Sequence, residues 1–442
     1  MKQSRRDFLK TTSAATAVAA AGGITATAKS YSRILGSNET MRLAIVGLHG
    51  RGRAHLKSLA DCKGAIVSHI CDVDQRELEK FSPGVEKIFG ESPTHVKDFR
   101  KLLNFKELDA ITIATPEHWH APMAVMGLQA GKHVYLEKPC SHNPRESELL
   151  IKAQKKYKPL IQMGNQQRSS AHSIEAVQKI REGAIGEVYY GKAWYSNTRG
   201  PIGVGKEVPV PDYLDWELWQ GPAPRKPYKD NVHPYNWHWF WHWGTGETLN
   251  NGTHEVDVCR WALGVDYPHK ITADGGRYHY QDDWEFYDTI VTNFEYDNKM
   301  ITWEGKSCNG KKYFNRGRGA TIHGTEGTVL IDRDGYLIFD KNDDPVFEFS
   351  TKAQDGKMDV IGAGPMTTEH FRNFINAVKT GEKLRSPIQD AAISVNLLHL
   401  SNVSWKMGRS LSIDTKNGRI KDDKKAMKMW GREYEKGWEL KV

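Results

Sequence analysis

The stretch RLAIVGLHGRG, Arg42 to Gly52, decides the reading of this 442-residue chain. Its apolar, β-branched run ends at Gly47, and RAHLKSLA follows with helical spacing. A buried strand, a glycine-bearing loop and a helix therefore succeed one another. A phosphate-binding turn needs that succession, because unsatisfied backbone N–H groups at a helix start face an anion together and the helix dipole adds to their pull. The loop departs from the G-x-G-x-x-G pattern. Gly47 and Gly52 hold the outer positions, but His49 takes the middle one, with Gly50 and Arg51 beside it. A middle glycine ordinarily lets a pyrophosphate approach the backbone, so the loop alone is equally compatible with a plain tight turn.

The next strands tip the balance. AIVSHICDVD ends at Asp72, 20 residues after Gly52, where a carboxylate can accept hydrogen bonds from adenosine ribose hydroxyls. A carboxylate there repels a 2′-phosphate and favours NAD, although Arg51 or Arg76 could soften the preference and admit NADP. DAITIATP leads to Thr115 and Pro116, then to a helix with His118 and His120 near its start. HVYLEKP ends at Glu137 and Lys138, and KPLIQMGNQQR runs to Asn165 and Arg168. Strands alternating with helices predict an α/β domain with a parallel doubly wound sheet over residues 41–165. Polar residues recur where strands end, which is where such sheets bind ligands.

Upstream, SRRDFLK at Ser4–Lys10 matches the twin-arginine export pattern, followed by a weakly hydrophobic Ala/Thr run and a small-x-small cleavage signal at Ala26-Thr27-Ala28. The run is too short and too poor in Leu and Ile to span a membrane. Residues 1–28 therefore read as a signal peptide and the mature protein as periplasmic. The twin-arginine route carries folded proteins, so a cofactor can travel out inside its protein.

Composition is that of a soluble globular protein, with 39% hydrophobic and 26% charged residues. Of the net charge of +8, Lys2, Arg5, Arg6 and Lys10 against Asp7 supply +3. The rest is spread out, and even the tail KDDKKAMKMWGREYEKGWELK interleaves acids, which predicts a solvated face over residues 413–442 and no nucleic-acid partner. Cys62, Cys71, Cys140, Cys259 and Cys308 are scattered, with no CxxC pair, and form neither a disulfide framework nor a zinc ribbon.

Beyond residue 186 the pattern becomes antiparallel: GEVYYGKAWYSN, ITADGGRYHY, YDTIVTNFEYDNKMITWEGKS and GATIHGTEGTVLID read as strands with Asp-Asn and Gly turns. Between them, HPYNWHWFWHWGTGETLNNGTHEVD packs four Trp and three His into a dozen residues. It reads as an aromatic sugar platform built around Trp237 and His238, or as a loop packed on the following helix. A metal site drawn from His233, His238, His242 and His254 would match no HExxH or paired Cys/His signature, so no metal is expected. TTEHFRNFINAVKTGE places Phe371, Phe374, Ile375 and Val378 on one helical face, and DAAISVNLLHLSNVSWKMG is a second helix.

At LEKP, with Lys138, the chain resembles the Gfo/Idh/MocA oxidoreductases, the glucose–fructose oxidoreductase and inositol dehydrogenase group. The likeness is carried by the Gly47–Gly52 loop, ATPEHWH with His120, and LNNGTHEVD with His254 and Asp257. DWELWQGPAP, Asp215–Pro224, looks like members with twin-arginine leaders, and the likeness runs from about residue 41 to 412. It implies a second domain over residues 166–412, an α/β unit whose large, mostly antiparallel open sheet covers the nicotinamide and pairs with another subunit. It also implies that Lys138 lies beside nicotinamide and substrate and that His254 is the acid/base. Many members carry Asp where this chain has Asn250. An amide cannot take a proton as a carboxylate can, so either His254 lacks its usual charged companion or another acid such as Glu247, Glu255 or Asp257 substitutes.

Oxidising a secondary alcohol needs a hydride acceptor, a base for the hydroxyl proton and a cation near the developing alkoxide. NAD, His254 and Lys138 fit those roles. Asn165, Arg168, Trp237, His238, Asn250 and Asp257 are the candidate carbohydrate contacts. The expected function is an exported oxidoreductase for a sugar or polyol that recycles its bound cofactor. The alternatives are a glycoside hydrolase working by transient C3 oxidation and elimination, and a sugar-binding relative without chemistry.

Overall fold

The computed structural model describes residues 40–350 and 364–442. The leader lies outside the described residues. Met41–Val46 (β1) is buried almost throughout, as a strand covered by helices on both faces must be. With Ala65–Cys71 (β2), Thr94–Val96 (β3), Ala110–Ile113 (β4), His133–Leu136 (β5) and Ile161–Met163 (β6), it forms a six-stranded sheet in the order β3-β2-β1-β4-β5-β6, every pair parallel. The direction of winding reverses between β1 and β4, and the ligand crevice of such a sheet opens at that point, beyond the strands' carboxyl ends. Gly47, Asp72, Thr115, Glu137, Lys138 and Asn165 each lie one or two residues past a strand end. The helix Gly50–Ala60 (α1) follows β1, and His120–Gln129 (α2) follows β4. The three-residue edge strand β3 is too short to announce itself by periodicity.

A nine-stranded sheet makes up the second domain. Its strands are Val188–Ser196 (β7), Lys270–Gly276 (β8), Thr289–Glu295 (β9), Met300–Lys306 (β10), Arg318–Gly324 (β11), Gly327–Ile331 (β12), Gly335–Asp340 (β13), Pro345–Ser350 (β14) and Leu411–Ser412 (β15), in the order β14-β13-β12-β11-β7-β10-β9-β8-β15. Only β7 and β10 pair in parallel. Burial alternates along β9 and β10, the mark of a sheet with one packed and one open face. The helix Gly252–Leu263 (α3) packs on β7 and β11.

The C-terminal helices tie the domains together. Pro365–Thr380 (α4) returns to the first sheet, where Phe371 stacks on Tyr135 with ring centres 4.0 Å apart and joins a cluster with Leu43, Ile45 and Phe374. Ile388–Met407 (α5) is buried around most of its circumference. The tail is not a solvated face. Ile413, Ile420, Ala426 and Trp430 are buried, Trp438 meets Trp119 edge-on, and Arg432 pairs with buried Glu146 at 2.8 Å. Its apolar residues dock while its lysines stay in water, so net charge alone misjudges it. The five cysteines are free. No helix among the described residues is long and apolar enough to cross a membrane.

Candidate functional site

The crevice beyond β1, β2, β4 and β5 is a cleft of about 420 Å³, within the range of small-molecule sites. Its floor is the loop after β1. Gly47 has φ +85°, and a Cβ there would lie 2.6 Å from the Ala114 carbonyl oxygen; a Cβ on Gly52 would lie 2.1 Å from the Gly47 oxygen. Both positions need glycine, whereas Gly50 has open space around it. His49 sits at φ −68°, which any L-residue adopts, so the backbone does not demand glycine in the middle of the motif. Its imidazole leans toward Glu77 (4.0 Å) and His233 (5.9 Å between ring centres), and its buried Nε2 has no hydrogen-bond partner. That orphaned nitrogen at a helix start, above a glycine cradle, fits an anionic pyrophosphate.

Asp72 lines the cleft at the end of β2. Its two oxygens accept from the Leu48 and Asp74 amides at 2.8 and 2.9 Å, and burial raises its pKa. Each oxygen keeps a lone pair for a ribose hydroxyl. Glu137 turns inward, accepting from Arg51 (2.8 Å), His55 (3.0 Å) and Gln166 (3.1 Å). Burial would raise its pKa, but Arg51 and His55 outweigh it and hold the carboxyl well below the usual range. His120 faces two carbonyl oxygens, Pro139 at 2.6 Å and Thr115 at 2.8 Å, and so ties the turn after β5 to the end of β4. Thr115 and Pro116 line the cleft.

Lys138 stands at the other end of the cleft. Its ammonium donates to the backbone carbonyl of Asn250 (2.5 Å) and to its side-chain oxygen (3.0 Å). Burial pulls its pKa down to about 8, and Glu137 and Glu117 offset part of that. Sequence reasoning missed Glu117. Buried on the cleft wall in the turn Glu117–Trp119, it accepts a 2.5 Å hydrogen bond from the Thr245 hydroxyl. Burial pushes its pKa up to about 7. Its position one residue beyond a strand-end proline was the available signal.

The other candidates divide. Trp237, His238 and Asn250 line the cleft; His238 stacks on Trp237 at 3.6 Å and faces the Tyr235 carbonyl at 2.7 Å. Most of the Trp/His segment is core, since Trp237, Trp239 and Trp243 are buried, the first and last of them in a cluster with Trp216 and Trp219. His254, in the first turn of α3, is not among the cleft-lining residues; burial, with Arg333, Lys138 and Arg318 nearby, pushes its pKa well down. Arg168 and Asp257 bind each other at 2.7 and 2.9 Å, with Ser394 donating to Asp257, also away from the cleft. Asn165 is buried with both amide atoms unpartnered. Of the acids expected to replace the missing aspartate, Glu247 is held by Arg199, Glu255 by Arg318 and Asp257 by Arg168.

The histidines singled out as metal ligands do not converge: His242 faces the Pro224 carbonyl at 2.6 Å and His238 that of Tyr235. His49, Asp74 and His233 do bring ligand atoms within 4.8 Å of one another. Both oxygens of Asp74, however, accept from the Arg76 guanidinium, a cation that disfavours a second one.

Comparison with known proteins agrees with this fold. Residues 41–165 match the profile of an oxidoreductase family with an NAD-binding Rossmann fold, residues 174–330 the Gfo/Idh/MocA C-terminal domain, and residues 2–22 a twin-arginine translocation signal. The alpha-N-acetylgalactosaminidase of Shewanella oneidensis is 26% identical over 208 residues, 43% of this chain. The match spans only 45% of that relative's length. The aldose–aldose oxidoreductase of Caulobacter crescentus, solved with glycerol, superposes with a TM-score of 0.65 at 18% identity, over 85% of this chain and 100% of the other. A levoglucosan dehydrogenase solved with NADH and levoglucosan gives 0.65 at 19%, over 85% and 99%. At such identities the superpositions speak for the fold. Two family profiles, in order along one chain and on the two domains described, identify the protein as a member of the Gfo/Idh/MocA oxidoreductase family, bearing a twin-arginine signal.

Proposed function

We propose that the protein acts in the periplasm as an NAD-dependent oxidoreductase on a secondary alcohol of a carbohydrate and keeps its cofactor bound between turnovers. The observation that carries this reading is the shared cleft. The Gly47–Gly52 loop and Asp72 line one end, and Lys138, with a pKa near the working pH, lines the other. A nicotinamide, when bound, supplies the hydride acceptor. The loop and the start of α1 would hold its pyrophosphate and Asp72 its ribose, and the Asp72 carboxylate disfavours a 2′-phosphate. We assign the substrate's hydroxyl proton to Lys138 rather than His254, because Lys138 lines the cleft and His254 does not. Trp237 and His238, stacked on each other, line the cleft and are the candidate contacts for a sugar ring there. Asn165, with its amide unpartnered, is a further candidate for a substrate or cofactor hydrogen bond.

Outside the cytoplasm no pool reoxidises NADH, so a bound cofactor must receive its hydride back from a second substrate or a later step on the same sugar. The latter would make the protein a glycoside hydrolase. The match to relatives named as glycosyl hydrolase family 109 favours keeping that second reading. The test is to add aldoses, polyols and glycosides separately to the purified protein while following nicotinamide absorbance and free reducing sugar. An oxidoreductase reduces its cofactor with a free sugar, and Lys138→Met abolishes the change. A hydrolase liberates sugar from a glycoside. A binder without chemistry alters neither signal.

A further inference from the structure

The carboxylate that accompanies the acid/base group in many family members is Asn250 here, and an amide cannot accept a proton. The three acids nearest in sequence are each committed to an arginine: Glu247 to Arg199, Glu255 to Arg318 and Asp257 to Arg168. Glu117 differs from all of them. It is buried on the cleft wall, it has no arginine or lysine as an ion-pair partner among the described residues, and the groups of Thr245 that donate to it, hydroxyl and backbone amide, are neutral. Burial disfavours its charged form, and no ion pair has to break when it takes up or releases a proton.

We propose that Glu117 replaces the missing carboxylate as the proton store of the site, receiving through Lys138 the proton removed from the substrate hydroxyl. The inference rests on the assignment of that proton to Lys138. In the first transfer the substrate O–H bond breaks and an N–H bond forms on the neutral Lys138 amine; a nicotinamide, when bound, would be the acceptor for the carbon's hydride. In the second, the Lys138 ammonium gives up a proton to the Glu117 carboxylate, leaving a neutral amine and a neutral carboxylic acid. Lys138 rests on Asn250, not on Glu117. Lys138 and Glu117 line the same cleft and each feels the other's charge, and the flexible lysine stem is what would carry the ammonium from Asn250 to Glu117.

The surroundings suit such an exchange. Burial brings the two groups together in acidity, Glu117 up to about 7 and Lys138 down to about 8. Lys138 also faces Glu137, which favours its charge, and Arg51 and Arg318, which oppose it. Glu117 also faces Glu247, whose charge is answered by Arg199. His120, His238 and His254 lie near Lys138 and are kept from charging by burial. Glu117 acts through Lys138 and is a positioning and relay residue, not one that touches substrate.

The test is an infrared titration of the purified protein with whatever cofactor it carries, followed at the protonated-carboxyl stretch. We expect a band that titrates near neutral pH, is lost in Glu117→Gln, and shifts its midpoint upward by about one pH unit in Lys138→Met, where the stabilising cation is gone. Thr245→Val leaves the carboxyl in place and raises the midpoint by removing the hydroxyl donor, so the proposal remains testable should Glu117→Gln not fold. Absence of a neutral-pH band, its survival in Glu117→Gln, or a midpoint indifferent to Lys138→Met overturns the proposal. A pair that titrates as described in a protein that reduces no cofactor with any sugar would overturn the functional reading and leave the pair standing.

Discussion

Lys138 is bound twice by one residue: its ammonium donates both to the main-chain carbonyl of Asn250, at 2.5 Å, and to its side-chain oxygen, at 3.0 Å. Both acceptors are neutral, so they orient the lysine without adding a charge that would hold its proton. Burial is then free to lower its pKa to about 8, where the amine is a usable base. Asn250→Asp reverses this. A carboxylate at that distance favours the ammonium and raises the Lys138 pKa by about one unit or more. Because the folded-state pKa rises, the neutral amine appears only at higher pH. The ascending, acid-side limb of the pH–rate profile for alcohol oxidation should therefore move to higher pH. Activity at neutral pH should fall about tenfold for each pH unit the limb moves. A profile that stays in place would contradict this role for Asn250.

The two end glycines of the loop are predicted to be far more sensitive than Gly50. Gly47→Ala places a methyl 2.6 Å from the Ala114 oxygen at φ +85°, and Gly52→Ala places one 2.1 Å from the Gly47 oxygen. Both distort the cradle and should abolish dinucleotide retention, whereas Gly50→Ala meets open space and should preserve it. Nucleotide content per chain, measured on the three purified variants, checks the contrast.

These predictions rest on features of unequal legibility. The strand ends could be read directly, because a doubly wound sheet puts chemistry after apolar runs, and Gly47, Asp72 and Lys138 sit where that rule puts them. What could not be read was the partnering of charged groups distant in sequence. Arg168 and Asp257 look like substrate contacts until the chain between them, a separation of 89 positions, folds and pairs them. Glu117 was hidden for the opposite reason: followed by two histidines and a tryptophan in ATPEHWH, it stands out only when its burial and the lack of an arginine partner among the described residues are seen. Trp239 and Trp243 have the composition of a sugar platform and the burial of a core.

Asp72→Ser tests the cofactor preference. Removing the carboxylate deletes a ribose acceptor and a repulsion, so NAD should bind about tenfold more weakly while NADP gains relative to it. Titration calorimetry of nucleotide-stripped protein measures both. Unchanged affinities would place the adenosine ribose away from β2.

Arg168→Met separates support from chemistry. It leaves the Asp257 carboxylate buried with Ser394 but without its bidentate partner, a loss of about 3–5 kcal/mol in stability. Arg168→Met with Asp257→Asn should recover much of that. Denaturant midpoints for the single and double variants measure it, and an undiminished midpoint in the single variant would contradict the pairing.

The most direct test of the central claim, a dinucleotide seated and retained in the cleft above β1, is to denature the purified mature protein and identify what it releases by mass. The account predicts NAD(H) at close to one molecule per chain. A protein that emerges empty and then takes up neither NAD nor NADP would contradict it.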